Sequence, residues 1–253
     1  MEPELGPVHM VRVAVRADRL AELARRLRLP LRDSDDGYIV HAMLKGLFGD
    51  LAPKPFAVQE TRARWVSVLG YTEVSHEALS DWAQAYADPW FHGACDWENL
   101  SSKELPTSFA PGRRLGFALR MCPVVRKAKD SEFARRGAEV DAFLDHCWRV
   151  GPDVAVARAD VYRGWLAGEL GRRGGATLVE FQMEGFRRLR LLRRTQEEQR
   201  RSRGVERPDV FVKGVLEVTE SEAFGALLRR GLGRHRSFGF GMLLLRPVEQ
   251  GRC

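Results

Sequence analysis

The sequence has no apolar run near the ~18 residues that a membrane span requires, which excludes a transmembrane helix. Cysteine is scarce: Cys95, Cys122, Cys147 and Cys253 are all there are, and none forms a C-x-x-C pair. That spacing fits neither a zinc ribbon nor a disulfide framework, and a reducing cytoplasm is the expected setting. Met1 to Pro7 is acidic and contains proline, without the basic-then-apolar order of a secretory signal. Lysine is rare too, at positions 45, 54, 103, 127, 129 and 213 only, so most of the 41 basic residues are arginines. No cluster of carboxylates of the kind that holds two Mg²⁺ ions is visible, and no histidine pair has metal-ligand spacing, so neither metal nor cofactor is expected.

What remains is a chain of 253 residues, 44% hydrophobic and 30% charged. That composition excludes wholesale disorder and is enough for one large domain or two smaller ones. Val11 to Arg16 alternates as a strand, and Arg19 to Leu29 reads as a short helix ended by Pro30. Asp33 to Asp36 offers capping oxygens for a helix over Gly37 to Phe48. Pro55 to Glu60 and Arg64 to Tyr71 read as a hairpin, Ser75 as the cap of a helix to Tyr86, and Arg113 to Met121 as a strand. This order is the ferredoxin-like one. The second half repeats it: helices over Glu139 to Arg149 and Arg158 to Arg172, then strands over Ala176 to Leu192 and Val210 to Val218. A helix follows over Glu222 to Arg230, capped by Ser221, and a last strand over Phe238 to Val248. The expected fold is α+β with two tandem ferredoxin-like domains, 1–112 and 113–253.

The net charge of +7 is local. Between Arg187 and Arg207 nine arginines face three glutamates, so this segment carries +6 and the rest of the chain is almost neutral. Arg187, Arg188, Arg190, Arg193 and Arg194 fall on a strand or hairpin, where a guanidinium fork suits phosphates and guanine edges. A solvated charged hairpin would look similar, but composition bias alone does not cluster arginines. A second basic place is the connection carrying Arg126, Lys127 and Lys129. A third is the loop from Gly231 to Gly241, where Gly233, Arg234, His235, Arg236 and Ser237 combine close backbone approach with charge. It lacks the GK[ST] ending of a P-loop, and it runs from helix to strand, unlike a dinucleotide fingerprint.

Tyr38, His41 and Lys45 stand at i, i+3 and i+7, within about 60° of one another at ~100° per residue. The apolar stripe of Val40, Met43, Leu44 and Leu47 lies elsewhere on that helix, so His41 is not a core residue. An imidazole can move a proton at neutral pH, tyrosine can orient a ligand, and lysine can stabilise charge on a phosphorane.

The set of motifs resembles the CRISPR-associated endoribonuclease CasE family, the precursor-RNA processing subunit of type I-E Cascade within the RAMP superfamily. The similarity lies in Tyr38-x-x-His41, in Lys54-Pro55-Phe56, and in Arg120-x-x-Pro123 with Arg126. It extends to Tyr162 to Leu166, to Phe211 to Val218, and to the glycine loop ending Phe238-Gly239-Phe240-Gly241. The resemblance implies two ferredoxin-like domains and metal-independent cleavage of a CRISPR repeat stem-loop, by attack of a ribose 2′-OH on the adjacent phosphate. The products would be a 2′,3′-cyclic phosphate and a 5′-OH. It implies His41 and Tyr38 as catalytic residues and the arginine hairpin as the reader of the stem; Lys45 joins them by helix spacing and not by the resemblance, and the general acid is left open, with His235 of the glycine loop among the candidates. The implied partners are the crRNA stem-loop and the backbone and small subunits of Cascade, with target DNA reached only through the complex and no membrane. A non-catalytic crRNA-binding subunit and a metal-dependent nuclease are the alternative readings.

Overall fold

A computed structural model of the chain describes residues 6–29, 36–62, 64–194 and 202–248. In the first half, β1 (His9–Arg16) leads into α1 (Ala17–Arg26) and α2 (Gly37–Phe48), followed by the hairpin β2 (Phe56–Arg62) and β3 (Trp65–Thr72). Next come α3 (His76–Tyr86), the one-turn α4 (Pro89–His92) and β4 (Ser101–Glu104). The antiparallel sheet has the order β2-β3-β1-β4, the ferredoxin-like arrangement. Val11, Val13 and Val15 of β1 point to one face and are buried against α2 residues Val40, Met43, Leu44, Leu47 and Phe48. Arg12, between them, is exposed. Each strand residue is thereby assigned a side by the two-residue period.

The fourth strand of this sheet is not Arg113 to Met121, as the apolar alternation suggested, but Ser101-Ser102-Lys103-Glu104. An edge strand of polar residues, held to β1 by its backbone and to His76 by Ser102 Oγ, leaves no hydrophobic alternation to read. The alternating segment is instead β5 (Arg114–Met121), the first strand of the second sheet. After β5 come β6 (Val124–Arg126), β7 (Glu139–Asp141), α5 (Ala142–Val150) and α6 (Arg158–Arg173). The long strands β8 (Ala176–Arg194) and β9 (Ser202–Val218), α7 (Ser221–Arg230) and β10 (Leu243–Arg246) complete the fold. The order β10-β5-β9-β8 repeats the first sheet's connectivity.

Other boundaries differ from the sequence pattern as well. Glu139 to Asp141 pairs with β6 rather than opening a helix, and the Asp141 carboxylate then caps α5 by accepting from the Phe143 N–H at 2.9 Å. Glu220, not Ser221, caps α7, accepting from the N–H groups of Glu222 and Ala223. Ser221 Oγ accepts instead from the Phe109 N–H. Phe238 to Gly241 lies outside the last strand, because Gly239 and Gly241 hold positive φ angles of 77° and 82°. Asp36 occupies the cap position of α2 without a side-chain bond, and Asp33 to Asp35 lie outside the described residues.

The two halves share a core. Val8, Ala57 and Tyr71 pack into the cluster built around Leu119, Val212, Leu227 and Leu243. The buried Tyr71 hydroxyl donates to the Leu243 carbonyl at 2.7 Å. No helix among the described residues is long and apolar enough to cross a membrane.

The β8–β9 hairpin outruns the sheet that it belongs to. β5 accompanies β9 only as far as Met121↔Val210, whereas β8 and β9 stay paired from Arg187↔Asp209 to Arg194↔Ser202. Arg193, Arg194 and residues 202–207 of the charged stretch, expected to separate the strands, therefore belong to them, and residues 195–201 lie outside the described residues. The paired part is the arm of a two-stranded ribbon reaching roughly 24 Å beyond the sheet at ~3.4 Å per residue.

Candidate functional site

α2 turns Val40, Met43, Leu44 and Leu47 inward and leaves Tyr38 and His41 half-buried and Lys45 exposed on the far side. Tyr38 does not stand free. Its ring packs on Phe238 of the glycine loop, with centroids 5.7 Å apart. The His41 ring is parallel to Phe56, at 6.4 Å between centroids and 3° between planes. Phe56 in turn lies against Gly239, where an added Cβ would meet the ring at 3.2 Å. One aromatic residue of the first half therefore joins the histidine helix to the loop of the second.

His41 opens into a cavity of about 450 Å³ that it shares with Lys45, Lys54, Tyr71, Glu73 and Arg229. Burial, then the charges of Lys54 and Lys45, hold its pKa below the ordinary value of 6.5. Both effects disfavour the imidazolium, so the neutral ring, able to accept a proton, dominates at pH 7. Lys45 is tied to Asp50 by an exposed ion pair of 2.7 Å. Lys54 pairs with no carboxylate among the described residues, and it lines both this cavity and the next one. Lys54 is the residue that sequence reasoning missed as a site residue. It stands at the entry to β2, on a different element from His41, so no helical spacing links the two.

The neighbouring cavity, about 500 Å³, is walled by Arg234, His235, Arg236 and Ser237 together with Lys54 and Arg173. The loop's shape depends on glycine where backbone crosses backbone. Gly231 (φ 68°) and Gly241 (φ 82°) flank a bond from the Leu232 N–H to the Gly241 carbonyl, and a Cβ on Gly241 would run into the Leu232 carbonyl. His235 takes a left-handed φ of 61° without being glycine. Glu139 of β7 secures it: its carboxylate sits 2.8 Å from His235 Nε2 and accepts from Arg234 Nε at 2.5 Å and from Arg207 at 3.1 Å. The His235 bond and the flanking arginines, outweighing burial, hold the Glu139 carboxyl down to about 2. Glu139 thus ties the glycine loop to the foot of the arginine ribbon.

The basic residues divide by position. Arg120 was expected to face a ligand, but the structure places it inside the protein. Its guanidinium donates to both carboxylate oxygens of the fully buried Asp209, at 2.8 and 3.0 Å, and to the Phe238 carbonyl at 3.4 Å. Arg187 reaches the same carboxylate from the exposed side at 2.7 Å. Lys127 pairs with Asp145 at 2.8 Å, while Arg126 and Lys129 are exposed. On the ribbon, Leu189 and Leu191 turn inward against Cys122, Val124, Phe238 and Phe240, so Arg188 and Arg190 face outward into solvent. The side chains of Arg193 and Arg194, and the whole of Glu197 and Glu198, lie outside the described residues. Among the described residues no three His, Cys, Asp or Glu side chains gather as a metal site.

Neutralising Arg188 and Arg190 together with glutamine removes two outward charges and no bond among the described residues. If the ribbon holds a nucleic-acid backbone, the log–log salt slope of binding should fall by about two. An unchanged affinity and slope would show that the ribbon is only a solvated surface.

Comparison with known proteins bears on what such an arrangement is for. The sequence profile of the family described as "CRISPR associated protein" matches residues 8–247. No curated protein matches the sequence significantly. Among solved structures, the CRISPR endoribonuclease Cse3 bound to 19 nt RNA superposes with a TM-score of 0.61 at 21% identity, over 96% of this chain and 100% of that one. The CRISPR-associated protein Cas6e from Escherichia coli str. K-12 gives 0.57 at 19%, over 95% and 100%. A chain of a CRISPR RNA-guided surveillance complex gives 0.54 at 15%, over 95% and 100%. At these identities the likeness establishes the shared fold.

Proposed function

Because the chain belongs to the family of CRISPR associated proteins, we propose that it is an endoribonuclease that binds the stem-loop of a CRISPR repeat RNA, cuts it without a metal, and keeps the product. The observation that carries this reading is one juxtaposition. A neutral, half-buried histidine flanked by two lysines opens beside a glycine loop, and an arginine ribbon extends from the same loop's support. Similar folds occur in an RNA-bound CRISPR endoribonuclease and in an RNA-guided surveillance complex, which supports both the substrate class and assembly with further Cascade subunits. We place the division between the two halves at residue 112.

His41, neutral at pH 7, takes the proton of the ribose 2′-OH. The 2′-oxygen then forms a bond to the adjacent phosphorus as the bond to the 5′-oxygen breaks, and that oxygen takes up a proton. A 2′,3′-cyclic phosphate and a 5′-OH result. Lys54 and Lys45 offset the charge that develops on the non-bridging oxygens. Tyr38 acts through Phe238, holding the loop against the histidine helix. The ribbon supplies orientation: Arg188 and Arg190 grip the stem, and in-line geometry does the work that a single histidine cannot.

The rate of cutting a repeat hairpin, taken from the CRISPR array of the same genome, tests this reading. Its acid limb should have a midpoint below pH 6.5, since the base must be deprotonated and its folded-state pKa is depressed. Lys54→Gln removes one of the two repelling charges, so the midpoint should move up towards 6.5 as the maximal rate falls. A protein that binds the hairpin tightly but never cuts it is a crRNA-binding subunit, and the catalytic reading then fails.

A further inference from the structure

The His41 cavity and the loop cavity are not isolated. They share Lys54, and the loop cavity shares Arg173, Gly233 and Arg234 with a third cavity of about 460 Å³ that ends at Arg126 and Arg172. Three openings thus succeed one another across the surface, joined at each step by a cation. Arg173, in the last turn of α6, is the hinge of the second step. Its Nε is buried and finds no hydrogen-bond partner. It forms a long ion pair with Glu169, Nε to carboxylate oxygen 3.6 Å, and Glu169 is shared with Arg172. Arg236 faces it across the loop cavity, donates to the Arg230 carbonyl, and pairs with no carboxylate among the described residues. Burial and the nearby charges of Arg173 and Arg230 lower the pKa of Arg236. Glu139 lines the loop cavity too, but it is already bonded to Arg234 and His235, so Arg173 and Arg236 are two guanidinium groups at one opening that can share an anion. Gly233, itself buried, lines both cavities beside Arg173 and Arg234, and Trp165 packs so close that a Cβ there would touch its ring at 2.9 Å.

We propose that this row of cavities is the track of the RNA strand flanking the scissile phosphate. The strand leaves the His41 cavity past Lys54, lays one backbone phosphate between Arg173 and Arg236, and continues over Gly233 towards Arg126 and Arg172. The ligand is a single phosphodiester strand, held by charge and not by base edges. The inference rests on the endoribonuclease reading and adds to it a path distinct from the arginine ribbon, which grips the stem. Arg173 is a positioning residue on this path and does not touch the reacting atoms.

Methylphosphonate substitution tests it, since it neutralises one phosphate at a time. The substrate is a repeat hairpin with a 2′-deoxy scissile nucleotide, so that binding is read without cleavage. In the wild type, neutralising one particular flanking phosphate should weaken binding about tenfold, the loss of one charge-assisted contact. Arg173→Gln should bind the all-phosphate RNA about tenfold more weakly and become indifferent to substitution at that position, while staying sensitive in the stem. Arg236→Gln should lose sensitivity at the same position, and Arg173→Lys should restore most of the affinity. If Arg173→Gln, folded by its circular dichroism and melting, keeps the wild-type sensitivity at every flanking phosphate, the track is wrong. That failure is distinguishable from failure of the functional reading, in which the wild type neither binds nor cuts the all-ribose hairpin.

Discussion

Replacing His41 with alanine is expected to lower the cleavage rate of repeat RNA roughly 10²–10⁴-fold, the usual worth of one general base, while leaving affinity for the stem within about twofold. The separation comes from geometry. His41 sits in its own cavity on α2, whereas the outward guanidinium groups of Arg188 and Arg190 stand on the ribbon of the other half. The ring is half-buried and stacked on Phe56, so its removal costs some packing but leaves no buried charge. Single-turnover cleavage and equilibrium binding, measured side by side, check the prediction. A parallel loss of both would mean that His41 holds the RNA and does not act on it.

The largest expected effect on stability is at Asp209. Its carboxylate is fully buried and bonded to Arg120 twice and to Arg187 once. Asp209→Ala takes that carboxylate away from a guanidinium that is itself only 9% exposed. Breaking a buried pair from one side costs about 3–5 kcal/mol, because the remaining charge is left desolvated. Arg120 also donates to the Phe238 carbonyl and lies over the Phe240 ring at 4.3 Å, so the glycine loop should loosen with it. Arg187→Gln, by contrast, removes a side chain that is 61% exposed and should cost under about 1 kcal/mol. Denaturant unfolding of both variants is the check. A loss below about 1 kcal/mol for Asp209→Ala would show that Arg120 finds adequate partners elsewhere.

These two residues also mark the limit of what the sequence could tell. The helix of His41 was legible almost to the residue, because Asp36 and Gly37 open it and the apolar stripe leaves Tyr38, His41 and Lys45 on the other side. The arginine cluster was legible as charge, but not as a ribbon outrunning its sheet, since only pairing with β9 reveals that β5 stops short. Ser101 to Glu104 escaped because an edge strand can be polar throughout and still be held by its backbone. The internal position of Arg120 escaped for a different reason. Its partner Asp209 is 89 residues away, and a buried ion pair leaves no periodic trace. Glu139, which gathers Arg207, Arg234 and His235, was equally invisible, and Lys54 meets His41 only once the hairpin folds back on α2. Local periodicity encodes which way a side chain faces, while distant pairs settle which cations are left for a ligand.

The nucleophile in this mechanism is the RNA's own 2′-hydroxyl, and a pair of substrates tests that assignment most directly. One repeat hairpin is made with ribose and another with 2′-deoxyribose at the scissile nucleotide, and both are incubated with the protein in EDTA. The ribose substrate should be cut, leaving a cyclic phosphate, and the deoxy substrate should be bound equally well and left intact. Cleavage of the deoxy substrate, or loss of all cleavage in EDTA, would contradict the proposed mechanism.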